Sequence, residues 1–94
     1  MLKTEPNDVF LNYVLGVEYE SVDQLEDASN QFLKTLEIKK DYFACYYQLG
    51  RLAEKMKNEK QALEYFKTGL ELAKQQKDQK AINEFNEAVW LLED

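Results

Sequence analysis

The stretches "NYVLGVEYES" at residues 12–21 and "YYQLGRLAEK" at residues 46–55 decide the fold. Both contain Tyr-x-Leu-Gly, as Tyr13, Leu15, Gly16 and as Tyr47, Leu49, Gly50, thirty-four residues apart. Sliding the chain against itself by 34 extends the match outward. Glu20/Glu54, Ala28/Ala62, Phe32/Phe66, Leu36/Leu70, Glu37/Glu71 and Lys40/Lys74 are identical, and Ile38/Leu72 is conservative. Matched Glu and Lys mean little in a chain rich in both. Leu-Gly, Ala, Phe and Leu in one order twice mean more: the same structural unit is used two times.

Each unit reads as two helices. The first helix of unit one is predicted over about 8–20, where Val9, Phe10, Tyr13, Val14 and Val17 recur at three- and four-residue steps. Asn7 or Asp8 can cap it, and Pro6 stands just ahead, where a missing N–H costs little. The second helix is predicted over about 24–38, with Asp23 and Glu26 spaced as a capping box and Leu25, Ala28, Phe32 and Leu36 facing one way. In unit two, Asp41 begins a helix of about 41–56 with Cys45, Leu49, Leu52, Ala53 and Met56 inward. Asn58 with Gln61 opens the next, about 59–75, with Ala62, Phe66, Leu70 and Ala73 inward. After the polar run "KQQKDQK" a fifth helix of about 79–92 presents Ala81, Ile82, Phe85, Ala88, Val89 and Leu92. Gly16 and Gly50 fall mid-helix, where glycine costs about 1 kcal/mol against alanine. Their recurrence predicts close helix contact, with Ala28 and Ala62 opposite and Phe32 and Phe66 filling the space where the helices diverge.

Composition agrees with an all-α domain. The 94 residues suit one domain, and 45% are apolar, too many for a disordered chain. Three glycines and one proline leave little turn chemistry for strands. No apolar run approaches the eighteen or so residues of a membrane span, and the N-terminus lacks the pattern of a secretion signal. Cys45 is the only cysteine, so no internal disulfide forms, and a cytoplasmic location is expected. The net charge of −6 is uneven: residues 1–33 hold one base and seven acids, residues 34–80 eleven bases and seven acids, residues 81–94 four acids and no base. An acidic chain without a basic stripe is not expected to bind nucleic acid.

The order Leu-Gly, Ala twelve residues after the Gly and Phe four later, at a period of 34, resembles the tetratricopeptide repeat family. The likeness covers about residues 9–76. The family's aromatic three residues before the Leu is Tyr46 in unit two but Asn12 in unit one. Its tyrosine three after the Gly is Tyr19, against Ala53 in unit two. Its late alanine is replaced by Thr35 and Gly69, and its closing proline by Lys40 and Lys74. The resemblance implies a right-handed superhelical stack of antiparallel helix pairs, five helices in a single domain. Repeat one would span about 9–42 and repeat two about 43–76, with a capping helix at about 79–92. Two repeats and a cap make a minimal stack, stable alone or helped by self-association.

The resemblance also implies a function. Members of this family usually bind peptides or protein segments in a concave groove lined by the first helix of each pair, and they are seldom enzymes. Carried over, the groove positions are Phe10, Tyr13, Val17 and Glu20, then Ala44, Tyr47, Arg51 and Glu54. With a two-residue offset, Lys80, Asn83, Glu87 and Trp90 follow on the cap helix. Tyr13, Tyr47, Arg51, Glu54, Lys80 and Trp90 are therefore the candidate partner-binding residues, with Arg51 or Lys80 pairing an acid of the partner. The plainer alternative puts Phe10 and Val17 in the core, and they are assigned there. The Lys and Asn clamp with which some members grip a C-terminal carboxylate is not present: Tyr13, Val17, Tyr47 and Arg51 occupy those places. Trp90 lies about 140° from Phe85 around its helix, off the apolar face, as does Leu91.

Catalytic chemistry is not expected. The chain has no histidine, hence neither the commonest general base nor the commonest metal ligand. Cys45 has no partner for a redox or nucleophilic pair and falls on a packed helix face. There is no glycine-rich phosphate loop, and the aspartates lack the alternation of a calcium loop. No cofactor, no metal and no membrane partner is expected. The predicted role is a non-enzymatic protein–protein interaction module, the alternative a homodimer formed through the C-terminal helix or the groove.

Overall fold

In a computed structural model of the chain, residues 7–93 are described. They form five α-helices: α1 Val9–Ser21, α2 Leu25–Ile38, α3 Phe43–Lys55, α4 Glu59–Gln75 and α5 Gln79–Glu93. No strand occurs among the described residues. The helices fall into two compact units, one ending at Asp41 and one starting at Tyr42. Pro6 lies outside the described residues.

The caps explain most of the boundaries. Asp8 Oδ1 accepts from the Leu11 amide at 3.0 Å and starts α1. Asn58 Oδ1 accepts from the Gln61 amide at 3.2 Å and starts α4. Asp78 Oδ1 does the same for the Ala81 amide at 3.1 Å and starts α5. The capping box expected at Asp23 and Glu26 does not form. Asp23 adopts the left-handed region, φ 64°, and Gln24 caps α2 without a side-chain bond. Asp41 does not begin α3 either. Its carboxylate takes a 3.0 Å ion pair from Lys39 Nζ, and the helix starts at Phe43 behind Tyr42. That ammonium, hydrogen-bonded to it, holds the Asp41 carboxyl below its ordinary value.

Three helix ends close in one way. A left-handed residue follows each of α1, α3 and α4: Asp23, Lys57 (φ 63°) and Lys77 (φ 57°). The next amide then reaches back into the helix, Gln24 to the Tyr19 carbonyl at 2.9 Å, Asn58 to Ala53 at 2.8 Å and Asp78 to Ala73 at 3.1 Å. This is the Schellman closure, with Asp and Lys where glycine is usual.

The glycines organise the packing, though not as expected. A Cβ on Gly16 would stand 2.6 Å from the Phe32 ring, and one on Gly50 would overlap the Phe66 ring. The phenyl rings themselves fill the space directly over the glycines. Gly69 repeats the arrangement under Phe85, with Tyr46 Cβ also near. In all three hairpins the phenylalanine follows its glycine by sixteen residues and an alanine follows by twelve: Ala28, Ala62, Ala81. These alanines are 0%, 0% and 7% exposed, and the three rings 0–2%. Burying each ring is worth about 1.5–3 kcal/mol.

In unit one, Phe32, Ala28, Thr35 and Leu36 of α2 are buried beside Gly16 of α1. Thr35, in the place of the family's alanine, is fully buried and satisfies its hydroxyl by donating to the Gln31 carbonyl at 2.8 Å. In unit two the core joins Ala53, Ala62, Phe66, Ala73, Ala81 and Phe85. Three expected core positions are exposed: Phe10 at 62%, Val17 at 36% and Met56 at 42%. α1 is apolar around most of its circumference, so its pairing with α2 covers one side and leaves Phe10 and Val17 outside it. Met56 is the residue that ends α3, beyond the packed face.

Candidate functional site

Within the second unit α3 and α5 flank one cavity of about 310 Å³. Tyr47, Arg51 and Glu54 line it from α3, Phe66 from α4, and Glu84, Glu87, Ala88 and Leu91 from α5. Helix periodicity places each set: residues 47, 51 and 54 step along one face of α3, and 84, 87, 88 and 91 along one face of α5.

Tyr47 and Phe66 give the cavity its aromatic lining, and both rings contact Phe85. Tyr47 lies 5.7 Å from Phe66 and 5.5 Å from Phe85, the latter edge-to-face at 76°. Phe66 and Phe85 meet at 6.5 Å. These are the separations at which aromatic pairs attract beyond simple burial. Tyr47 is half-buried, so it belongs to the core and to the cavity wall together. Arg51, one turn along α3, is exposed, and its Nη1 donates to Gln48 Oε1 at 3.2 Å.

Tyr13 occupies the matching place in unit one, half-buried with its ring 5.6 Å from Phe32. The geometry is nearly that of Tyr47 on Phe66, 48° against 54° between ring planes. A second pair is exchanged as a pair. Tyr46 faces Tyr65 at 6.3 Å, while thirty-four residues earlier Asn12 Oδ1 accepts from Gln31 Nε2 at 2.7 Å. The asparagine that departs from the family's aromatic is thus matched by its own partner. Burial, before the nearby Tyr46 and Glu64, pushes the Tyr65 phenol above its ordinary value.

Of the six candidate residues, Tyr47, Arg51 and Glu54 come together at the cavity. Lys80 and Trp90 are exposed on α5 but do not line it. Glu84, Ala88 and Leu91 line it without having been candidates. The turn of the helix accounts for this. At about 100° per residue, 84, 87, 88 and 91 lie on one flank of Phe85 and Trp90 on the other. Gly69, Ala81 and Phe85 carry the signal that would have set this rotation, because they repeat the spacing of the first two hairpins. Trp90 is 65% exposed, so it belongs to the surface, beside Leu91 at 62%.

Among the described residues, no group of three His, Cys, Asp or Glu side chains is placed to hold a metal ion. None of the described helices is long and apolar enough to cross a membrane. Cys45 is buried.

A sequence model of the tetratricopeptide repeat matches residues 43–76. A search of curated protein sequences finds no match. Among solved structures the chain is similar to the solution NMR structure of a tetratricopeptide repeat domain protein from Salinibacter ruber. The TM-score is 0.89 at 30% identity, over 96% of this chain and 91% of that one. A crystal structure of a tetratricopeptide repeat domain protein from Salinibacter ruber gives a TM-score of 0.85 at 30% identity, over 92% and 96% of the two chains. With the repeated Tyr-x-Leu-Gly, the phenylalanine seated on each glycine and this likeness along nearly the whole of both chains, the chain belongs to the tetratricopeptide repeat family.

Proposed function

We propose that this protein binds a segment of another polypeptide in the cavity between α3 and α5. The family is in general a non-enzymatic scaffold for protein interactions, and the cavity is the observation that supports this finer reading. It is a concave surface with an aromatic floor, an aliphatic wall at Ala88 and Leu91, and charged side chains around it. Such a combination anchors an apolar or amphipathic side chain and leaves polar groups to set its orientation.

Selection of peptides from a random display library on the immobilised chain tests the proposal. Arg51 and Leu91 are both exposed, so their replacement by alanine leaves the core intact. Selected peptides should bind at least about tenfold more weakly to Leu91→Ala, the loss of a well-placed apolar contact. Binding indifferent to both Leu91→Ala and Arg51→Ala would place the interaction elsewhere.

A second reading rests on Trp90 and Leu91, adjacent and each more than 60% exposed. Neighbouring large apolar side chains in water mark association surfaces, and two copies could cover them. Light scattering across a wide concentration range decides it: a dimer that Trp90→Ala dissociates supports self-association, and a monomer throughout removes it.

A further inference from the structure

Charge narrows the class of partner, granted that the cavity beside Tyr47 is a binding surface. We infer that it takes a cationic side chain, lysine or arginine, from a basic segment of a partner polypeptide. Three carboxylates, Glu54, Glu84 and Glu87, stand around it against the single guanidinium of Arg51. Lys80, which the sequence offered as a second base, is not among the lining residues. The charge lining the cavity is therefore net negative. An acidic side chain entering the cavity would meet three like charges and one opposite charge.

The three carboxylates do not converge closely enough to hold a metal ion. A cation with an apolar stem suits this mixed lining of carboxylates, ring and aliphatic side chain. Lysine and arginine place methylenes along an apolar wall while the charged head stays among polar groups. Leu91 and the Tyr47 ring supply that wall, and the exposed Glu84 and Glu87 supply the polar end. A tyrosine face adds attraction for a cation lying over it.

The test begins with the peptides selected on the wild-type chain at low salt and uses fluorescence anisotropy. The peptides should be enriched in lysine or arginine, and replacing that residue by glutamine should weaken binding. A double Glu84→Gln/Glu87→Gln variant should bind them about tenfold more weakly, roughly two- to fivefold for each exposed carboxylate. Arg51→Gln, which removes the competing cation, should bind them about two- to fivefold more tightly. Binding should also weaken as salt rises. Neutral or acidic peptides that are sensitive to Leu91→Ala but indifferent to the glutamine variants would overturn the cationic assignment and leave the cavity as a binding site. Peptides insensitive to Leu91→Ala would bring down the reading beneath it as well. A concentration-dependent rise in mass that Glu84→Gln/Glu87→Gln abolishes would show the cation to come from a second copy of this chain, and would overturn the inference of a separate partner.

Discussion

Gly50 shows how one residue can carry two opposed energies. Replacing it by alanine gains about 1 kcal/mol of helix propensity. The new Cβ would overlap the Phe66 ring, a rigid side chain that is 1% exposed. Overpacking of this kind costs about 1–3 kcal/mol, so Gly50→Ala should destabilise by about 1 kcal/mol net, measured by urea unfolding. In a Phe66→Leu background the same change should cost less, a coupling that a double-mutant cycle reads directly. Tyr65 gives a residue-scale prediction in pH. Its phenol titrates higher in the folded state than an ordinary tyrosine, because burial opposes the phenolate. The stability this contributes is fully present below the unfolded pKa and is lost as pH rises through the folded one. Unfolding free energy should fall above about pH 10, and Tyr65→Phe should reduce that slope. The glycines at 16 and 50 were legible because they share a 34-residue period. Gly69 was not, because thirty-four residues before it stands Thr35, and thirty-four before its partner Phe85 stands Arg51, so the period does not pair them. The spacing of sixteen from glycine to phenylalanine is nonetheless present in the chain three times.

At the scale of elements, helix ends follow local chemistry where the side chain can reach an amide. Asp8 and Asn58 were readable as caps for that reason, and Asp78 is their unremarked counterpart. Asp78→Ala should cost about 1 kcal/mol, the usual value of a lost cap, seen as a lower melting temperature. Asp23 misled because a cap-like pair and a left-handed turn residue look alike in sequence. Both favour Asp and Asn, and only the backbone at φ 64° separates them. Lys57 sits in the same strained region at φ 63°. Lys57→Gly should therefore stabilise by about 0.5–1 kcal/mol, the relief of a left-handed β-carbon less the added entropy of the unfolded chain. For a domain of this size that is a rise of about 2–8 °C in melting temperature. The boundaries of α4 and the start of α5 agree with the periodicity, and α3 begins two residues later than predicted, behind Tyr42, with the Asp41 carboxylate paired to Lys39 rather than capping the helix.

For the whole molecule, stability rests on a few rings. Phe66 touches Tyr47 and Phe85 and covers Gly50, and a Phe→Ala change in such a site costs about 3–5 kcal/mol. Against the 5–15 kcal/mol typical of domains, and the low end expected at this length, Phe66→Ala should leave a large unfolded fraction at room temperature. Trp90→Ala, at an exposed site, should stay within about 0.5 kcal/mol of the wild type. Urea titration followed by circular dichroism separates the two cases.

The sequence by itself determined the helices, their pairing into repeats, the family and the half of the cavity contributed by α3. Each of these depends on residues within one turn of each other or at a repeated spacing, and such relations are visible in a linear chain. The tertiary structure alone decided three things: that phenylalanine rings lie over the glycines, that Phe10 and Trp90 face solvent, and that Glu84 and Leu91 stand opposite Tyr47. Periodicity defines a helix face but not the angle at which that face is turned toward a neighbour. That angle is set by the ring packing of Phe85 against Gly69 and Tyr47, between residues far apart in sequence, and with it the sign of the charge in the cavity.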